Sequence, residues 1–362
     1  MASTVPALKE DRVIFAGGAS SYTVGDVIDA AHFRGEVEPF WKELLVRVEA
    51  ERKAGETEAE LDGSEVDAAA VAFRYQYDLI TAEETEAWLE TRGLTLADFS
   101  EYFAREQWGK TLGGKVKPSE SAYATGPAEL RELLMVDLVM SGELDRMATR
   151  LAWRVATMDA AKGAPADLTD EEQKQFCERN GLNVAEIAHW LSGLDRDQAW
   201  FDQMMTLEAA YRARCAKLLT AEARTRELGA LRLPLTRFEV EMIELESGDA
   251  AREAFMCVRD DGMSMADVAQ EGRYPFYQTE MVLEQIADDL QQKFLSLTPG
   301  SILEPTPRED GFILTRILAK KEPTLDDPDV QARVKERILE RHFADLTSGR
   351  IQWRLQLNNS AE

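Results

Sequence analysis

Leu297-Thr298-Pro299-Gly300-Ser301-Ile302-Leu303-Glu304-Pro305, followed shortly by Asp310-Gly311-Phe312-Ile313-Leu314-Thr315-Arg316-Ile317-Leu318, sets the architecture of the last third of the chain. Pro299-Gly300 ends any helix before it, because proline lacks the N–H a helix needs and glycine accepts the left-handed turn that closes one. Ile302-Leu303 and Phe312 to Leu318 read as strands that return on each other through a loop closing on Asp310-Gly311. Upstream, Ile286, Leu290, Phe294 and Leu297 recur at helical spacing, which predicts a helix over 282–297. Farther back, Phe238, Val240 and Met242 alternate with Glu239 and Glu241 as in a half-buried strand. The phase slips at Ile243 and Leu245, which predicts a bulge or a strand end. Between these strands, Ala250 to Val258 and a short segment capped by Ser264 read as helices, with Asp261-Gly262 as the turn between them. The sum is a compact α+β domain over 235–322.

Beyond Pro323, Asp327-Pro328 opens a last amphipathic helix, Val330 to Leu346, ended by Gly349. Ile351, Trp353 and Leu355 then alternate with polar neighbours as a terminal strand, and a lone strand edge needs a partner. The partner expected is at the other end of the chain. There Val13-Ile14-Phe15, Gly17-Gly18 and Ser20-Ser21-Tyr22 spell a small hairpin, after which Thr23 caps a helix starting at Val24.

From Val24 to about Trp108 the apolar residues keep helical spacing: Phe40, Trp41, Leu44, Leu45 and Val48 in one stripe, Val66, Ala70, Phe73 and Tyr77 in another. Thr81-Ala82-Glu83-Glu84 has the capping-box pattern of a hydroxyl with a carboxylate three residues on. Gly113 to Pro127 reads as a linker, and a second helical block follows from Ala128. Thr81, Glu83, Glu84, Trp88, Gly93, Leu94 and Phe99 are matched by Thr169, Glu171, Glu172, Phe176, Gly181, Leu182 and Ile187, every pair at the same separation. Upstream, Ala72-Phe73-Arg74 is echoed by Ala152-Trp153-Arg154. This pattern predicts an internal helical repeat, against the plainer reading that all helix starts look alike. The expected organisation is 11–112 as an N-terminal helical module with its hairpin, 128–230 as the second repeat and 235–322 as the α+β domain. Residues 327–357 form a closing helix and strand that pack on the first module. The fold class is α+β, predominantly helical.

Composition narrows the function. Of 362 residues, 67 are acidic and 42 basic, a formal charge of −25, so phosphate backbones are repelled and no nucleic-acid partner is expected. Arg333 to Arg341, the nearest basic run, has Glu336 and Glu340 interleaved. Cys177, Cys215 and Cys257, like His32, His189 and His342, are dispersed without metal-ligand spacing, so neither a cofactor nor a metal is expected, and the cysteines read as buried reduced thiols. Gly109-Lys110-Thr111-Leu112-Gly113-Gly114-Lys115 lacks the spacing of a nucleotide loop. No stretch approaches ~18 apolar residues, so no membrane span is expected, and the chain is expected to be cytoplasmic.

The layout resembles the SurA and PpiC group of parvulin-type chaperone–isomerases. The N-terminal likeness lies in the Gly17-Gly18 hairpin, Val24-Gly25-Asp26-Val27, and Phe73-Arg74 ahead of Trp88-Leu89 and Gly93-Leu94. The C-terminal likeness lies in Leu297 to Pro305, Asp310-Gly311-Phe312 and Lys320-Lys321-Glu322-Pro323. The chain is also similar to PpiC-related proteins of bacterial peptide-maturation systems. The resemblance implies a helical peptide-binding module and a parvulin-like domain that rotates prolyl bonds. Parvulins carry one histidine on the first strand and another after the glycine of the last hairpin. Here Phe238 to Leu245 has none, Ile313 follows Gly311-Phe312, and no histidine occurs between His189 and His342. The family's glycine-rich segment is replaced by Arg273-Tyr274-Pro275-Phe276-Tyr277.

The resemblance places Ile286 and Leu290 where relatives hold the proline ring, with Met242 and Ile313 facing the same space. The same four residues are also what any small α+β domain buries, and both readings stand at this point. Phe276 and Tyr277 belong to an aromatic cluster on a predicted loop, a place where partners bind. The expected function is a peptide-binding chaperone or peptide-maturation accessory protein with a catalytically degenerate parvulin-like domain. The peptide-binding residues would be Met242, Ile286, Leu290, Ile313, Phe276 and Tyr277, and no catalytic residue is assigned. Alternatives are an active peptidyl-prolyl isomerase and a scaffold of a biosynthetic or secretion system. The expected partner is an unfolded or precursor peptide of apolar and basic character. The C-terminal helix also offers a route to a domain-swapped homodimer.

Overall fold

The structure, a computed structural model, describes residues 7–117, 128–160, 166–308 and 310–355. It is predominantly helical, with two small antiparallel sheets. The chain opens with β1 (Val13–Gly17) and β2 (Ser20–Thr23), then α1 (Val24–Phe33), α2 (Glu38–Glu56), α3 (Gly63–Gln76), α4 (Ala82–Arg92) and α5 (Leu96–Leu112). Next come α6 (Ala128–Met140), α7 (Glu143–Ala160), α8 (Ala166–Asn180), α9 (Ile187–Gly193), α10 (Gln198–Leu218) and α11 (Ala221–Leu231). The remainder is β3 (Arg237–Leu245), α12 (Gly248–Arg259), α13 (Met265–Gly272), β4 (Phe276–Val282), α14 (Asp288–Ser296), β5 (Thr306–Arg308), β6 (Gly311–Lys321), α15 (Pro328–Ser348) and β7 (Ile351–Trp353). Two compact units result: the described residues up to Ala216 with those from His342, and Lys217–Arg341.

In the helical unit the first sheet has the order β2-β1-β7. β7 pairs antiparallel with β1, Phe15 opposite Trp353 and Gly17 opposite Ile351, so the two ends of the chain close one sheet. Gly17 sits where that closure is tightest: a Cβ there would lie 2.7 Å from Ile351 Cδ1 and 2.8 Å from Val155 Cγ1. Thr23 caps α1, its hydroxyl accepting from Asp26 N while the Asp26 carboxylate accepts from Thr23 N. One continuous apolar core holds residues from both expected helical modules, from Ile14 and Phe33 through Phe73 and Trp88 to Leu138, Phe176 and Phe201. The division expected at 113–127 therefore does not separate two cores; residues 118–127 themselves lie outside the described residues.

Charge pins this core from within. The Asp29 carboxylate, 2% exposed, accepts from Arg131 at 2.7 Å and Arg196 at 2.6 Å. Asp137 receives Arg47 and Arg105, and Glu172 receives Arg179 and Arg212. Buried charges of this kind are tolerated because each is answered by an opposite charge.

The internal repeat is visible at helix ends rather than in packing. Gly93 (φ 76) and Gly181 (φ 63) both turn left-handed, and the next N–H returns to the last turn in both, Leu94 to Leu89 O and Leu182 to Cys177 O, each 2.9 Å. The likeness continues further than the sequence reading: Thr95 with Asp98 and Asn183 with Glu186 form capping boxes at matching positions. It fails at the other end, because α8 begins at Ala166, three residues ahead of Thr169. Phe73 packs edge-on to Trp88 at 5.3 Å, whereas its counterpart Trp153 stacks on Phe343 at 5.0 Å.

In the second unit the sheet has the order β4-β3-β6-β5, antiparallel throughout. The predicted bulge at Ile243 is absent, and β3 runs on to Leu245. Strict alternation explains the apparent slip: Phe238, Val240 and Met242 face one apolar cluster, Ile243 and Leu245 the cluster under α12 and α13. Both faces are covered at that end of the strand, so consecutive residues are buried. The irregularity lies instead between Glu239 and Val240 opposite β6.

The helix predicted over 282–297 is another correction. Residues 276–282 form edge strand β4, a 3-10 turn covers 283–285, and α14 is confined to 288–296. Gln278 and Glu280 occupy β4's outward face and pair with Glu241 and Arg237, so the strand shows little apolar periodicity. Ile302-Leu303 likewise is no ladder strand; Ile302 makes an isolated bridge to Arg316 and Leu303 N–H donates to Thr315 O at 2.8 Å.

The last helix also differs from expectation. Val330, Val334 and Ile338 of α15 pack with Leu231 and Leu235 inside the second unit, while the segment from His342 belongs to the helical unit. Only that final part, with β7, packs where the sequence placed the whole.

Candidate functional site

The alternation of the second sheet assigns every candidate residue to a face. Met242 is paired with Tyr277 on β4 and Thr315 on β6, and Glu244 with Ile313, so these five share one face. Ile286 and Leu290 come over the same face, from the extended link before α14 and from α14 itself. Phe276 is paired with Ile243 and packs in the opposite cluster. It is a strand residue, not a loop residue, and consecutive strand residues point to opposite faces. Phe276 and Tyr277 therefore pack in different clusters, Tyr277 alone with Met242 and Ile313.

Met242 is 7% exposed, Ile286 4% and Ile313 4%, all enclosed with Phe238, Phe294 and Ile317. The chain's own side chains fill the space where a proline ring was expected. Leu290 and Tyr277 are half-buried at its margin, where a ligand could touch them. No histidine occurs in Lys217–Arg341.

Two residues that sequence reasoning missed change the character of this face. The Tyr277 hydroxyl donates to Glu244 Oε1 at 2.7 Å, and Arg308 Nη1 lies 3.6 Å from the same oxygen. Burial, then the hydrogen bond and charge of Glu244, raise the Tyr277 phenol above its ordinary pKa of 10.0. Glu244 and Arg308 also border an open pocket of about 490 Å³ with Leu245, Pro275, Phe312 and Ile313. Gly311 makes that pocket geometrically feasible: at φ 144 it lies so close to the end of β3 that a Cβ would sit 2.3 Å from Leu245 O. The site therefore keeps a polar cluster, without imidazole and at its exposed end. The signal for it was alternation itself, since Glu244 continues the phase of Phe238, Val240 and Met242.

Elsewhere, Cys177, Cys215 and Cys257 are half-buried and none is in a disulfide among the described residues, where no three His, Cys, Asp or Glu side chains gather as a metal site. No helix among them is long and apolar enough to cross a membrane. His342 receives Arg214 Nε at 3.0 Å and packs edge-on to Phe343. His32, at the end of α1, is held neutral: burial lowers its pKa from 6.5 to about 4, against an upward pull from Asp29.

That shift has a signed consequence. The unfolded chain takes up a proton at His32 below about pH 6.5 and the folded chain does not until about pH 4, so stability is untouched above 6.5, falls between 6.5 and 4, and levels off below. Allowing for its partial exposure, the loss is about 2 kcal/mol. His32→Gln should flatten the stability–pH curve in that window, read by denaturant unfolding; parallel curves for the two proteins would contradict the assignment.

No protein-family model and no curated protein matches the chain. Among solved structures it is similar to the peptidylprolyl isomerase PrsA from Bacillus cereus, at 12% identity, covering 60% of this chain and 83% of that one, with a TM-score of 0.36. It is similar to the foldase protein PrsA from Lactococcus lactis at 11% identity, covering 93% and 89%, TM-score 0.27. A SurA-like chaperone of Campylobacter jejuni shares 9% identity over 60% of this chain and 92% of its own, TM-score 0.19.

Proposed function

We propose that this protein is a peptide-binding chaperone or peptide-maturation accessory protein whose α+β unit holds a chain segment without efficiently isomerising its prolyl bonds. The observation that carries this reading is the state of the sheet face bearing Met242 and Ile313. It is closed by apolar side chains to 4–7% exposure, contains no imidazole, and has its charged groups only at the solvated rim. Rotation about a peptide bond faces a barrier of ~18–20 kcal/mol, and lowering it calls for a dry pocket that receives the amide. Here the Tyr277 hydroxyl is already committed to Glu244. A peptide can instead lie along Leu290 and Tyr277 and enter the pocket beside Arg308, with Met242, Ile286 and Ile313 as the supporting floor.

The formal charge of −25 favours a partner with basic flanks, apolar contacts supplying the affinity. Three thiols that form no disulfide among the described residues are in keeping with a reducing, cytoplasmic setting. An active isomerase is the second reading, and the Tyr277–Glu244–Arg308 cluster is what favours it.

Binding is tested by fluorescence anisotropy with a labelled proline-containing peptide flanked by lysines. Leu290→Ala should weaken binding about fivefold, the loss expected for part of an apolar contact, with Arg308→Ala affecting the pocket end. Unchanged affinity in both variants, with peptide bound, would remove this face from the binding role.

A further inference from the structure

Four strands end a sheet among the described residues, and three of them are short. β2 has four residues, β7 three and β5 three, with Pro307 in the middle of β5. Proline has no N–H to offer a further strand. β4 is different. It runs for seven residues, Phe276–Val282, contains no proline, and pairs with β3 residue for residue from Val282 opposite Arg237 to Phe276 opposite Ile243. No bulge interrupts that ladder. On its other side β4 has no strand partner among the described residues, and Gln278, Thr279 and Glu280 in its middle are exposed.

An antiparallel strand spends the N–H and C=O of every second residue on one neighbour and turns the rest the other way. β4 therefore carries a row of main-chain donors and acceptors along its outer side. Proteins usually guard such an edge with proline, a bulge, charge or a covering segment. The polar side chains of β4 lean back over the sheet instead. Glu280, its single ionised residue, reaches Arg237 of β3 at 2.7 Å and Lys321 of β6 at 3.7 Å, and Gln278 donates to Glu241 of β3 at 3.0 Å.

The sheet face states which chain suits the edge. Tyr277, Thr279 and Met281 alternate onto one face, where Tyr277 and Met281 are half-buried against the same apolar cluster as Leu290. A strand laid beside β4 brings every second side chain onto that face, next to Tyr277 and Met281. Apolar residues at alternate positions would extend the cluster.

We propose that β4 takes up an extended segment of the partner peptide as an added strand, bonded main chain to main chain, with apolar side chains at alternate positions beside Tyr277 and Met281. This inference rests on the reading of that face as the peptide groove and adds how the peptide is held. Main-chain pairing supplies affinity that is blind to sequence, and the alternate side chains supply the preference. The prolyl residue, lacking an N–H, lies outside the paired stretch.

The full chain is titrated by fluorescence anisotropy with a labelled ten-residue peptide: lysine, proline, alternating valine and threonine, then lysine. Single N-methyl groups are walked along the valine–threonine stretch. At every second position the methyl removes a bond to β4 and should weaken binding about fivefold, the effect of one neutral hydrogen bond. At the positions between, affinity should stay within about twofold. Amide exchange at alternate β4 residues should slow about tenfold at saturating peptide. A peptide that binds and is weakened by Leu290→Ala, yet shows no alternation in the N-methyl series and leaves β4 exchange unchanged, would overturn this inference and leave the groove standing. A peptide that does not bind overturns both. A free chain that sediments as a dimer with β4 amides already slow would give the edge to a second copy and overturn the proposal.

Discussion

A chain ended after Asp326 is expected to lose the helical unit's native fold and to aggregate. The deletion removes Phe343, fully buried between Trp153 at 5.0 Å and Tyr211 at 5.1 Å. It also removes Ile351 and Leu355 from the core and strips β7 from β1. Loss of one buried phenylalanine alone costs roughly 3–5 kcal/mol, against a typical total stability of about 5–15, and the opened β1 edge invites pairing with other chains. The milder Phe343→Ala in the full chain should cost about 3 kcal/mol. Tryptophan emission and size-exclusion chromatography read both. A monomeric truncate with native emission would show that the chain ends do not hold this unit together.

Asp29→Ala should have the second large effect. Its carboxylate is the shared partner of Arg131 and Arg196, and Arg196 reaches Asp26 at 2.8 Å as well. Removing the aspartate leaves Arg131 with Glu10 and Arg196 with Asp26, two guanidinium groups gathered without the buried carboxylate that joined them. Breaking a buried pair this way costs about 3 kcal/mol, the low end of the usual range because both arginines retain some exposure. Asp29→Asn keeps the shape and should recover only part of the loss. Denaturant midpoints followed by tryptophan emission measure it, and a change below about 1 kcal/mol would mean that water replaces the network at little cost.

Local signals in the sequence were the most legible. Thr23 and Thr81 cap the helices expected of them, and the need of Ile351 to Trp353 for a partner pointed to the hairpin at Val13–Phe15, with which β7 pairs. The capping box of Asn183 is less legible, because asparagine serves turns as readily as helix starts. Strand β4 was illegible for a different reason: as an edge strand it spends one face on Gln278 and Glu280, leaving too few apolar positions to show a period of two. Ile286 and Leu290 looked like one helical stripe because they meet the same core, though only Leu290 stands on a helix.

The candidate site was legible in part, for the same physical reasons. Period two brought Met242 to the correct face, and the glycine at 311 marked the hairpin return. What the sequence could not show is that Ile286 and Ile313 fill the space themselves, since filling depends on side chains converging from four elements. Nor could it bring Arg308 to Glu244, because that meeting is a product of tertiary register.

The central claim is that the α+β unit grips a peptide without turning its prolyl bond, and exchange NMR on a proline-containing peptide tests it directly. With peptide bound, the cis–trans exchange rate should stay within about twofold of the free peptide's rate, itself on the scale of tens of seconds or slower. Exchange accelerated to the rate of a working isomerase, and lost in Tyr277→Phe, would contradict the account.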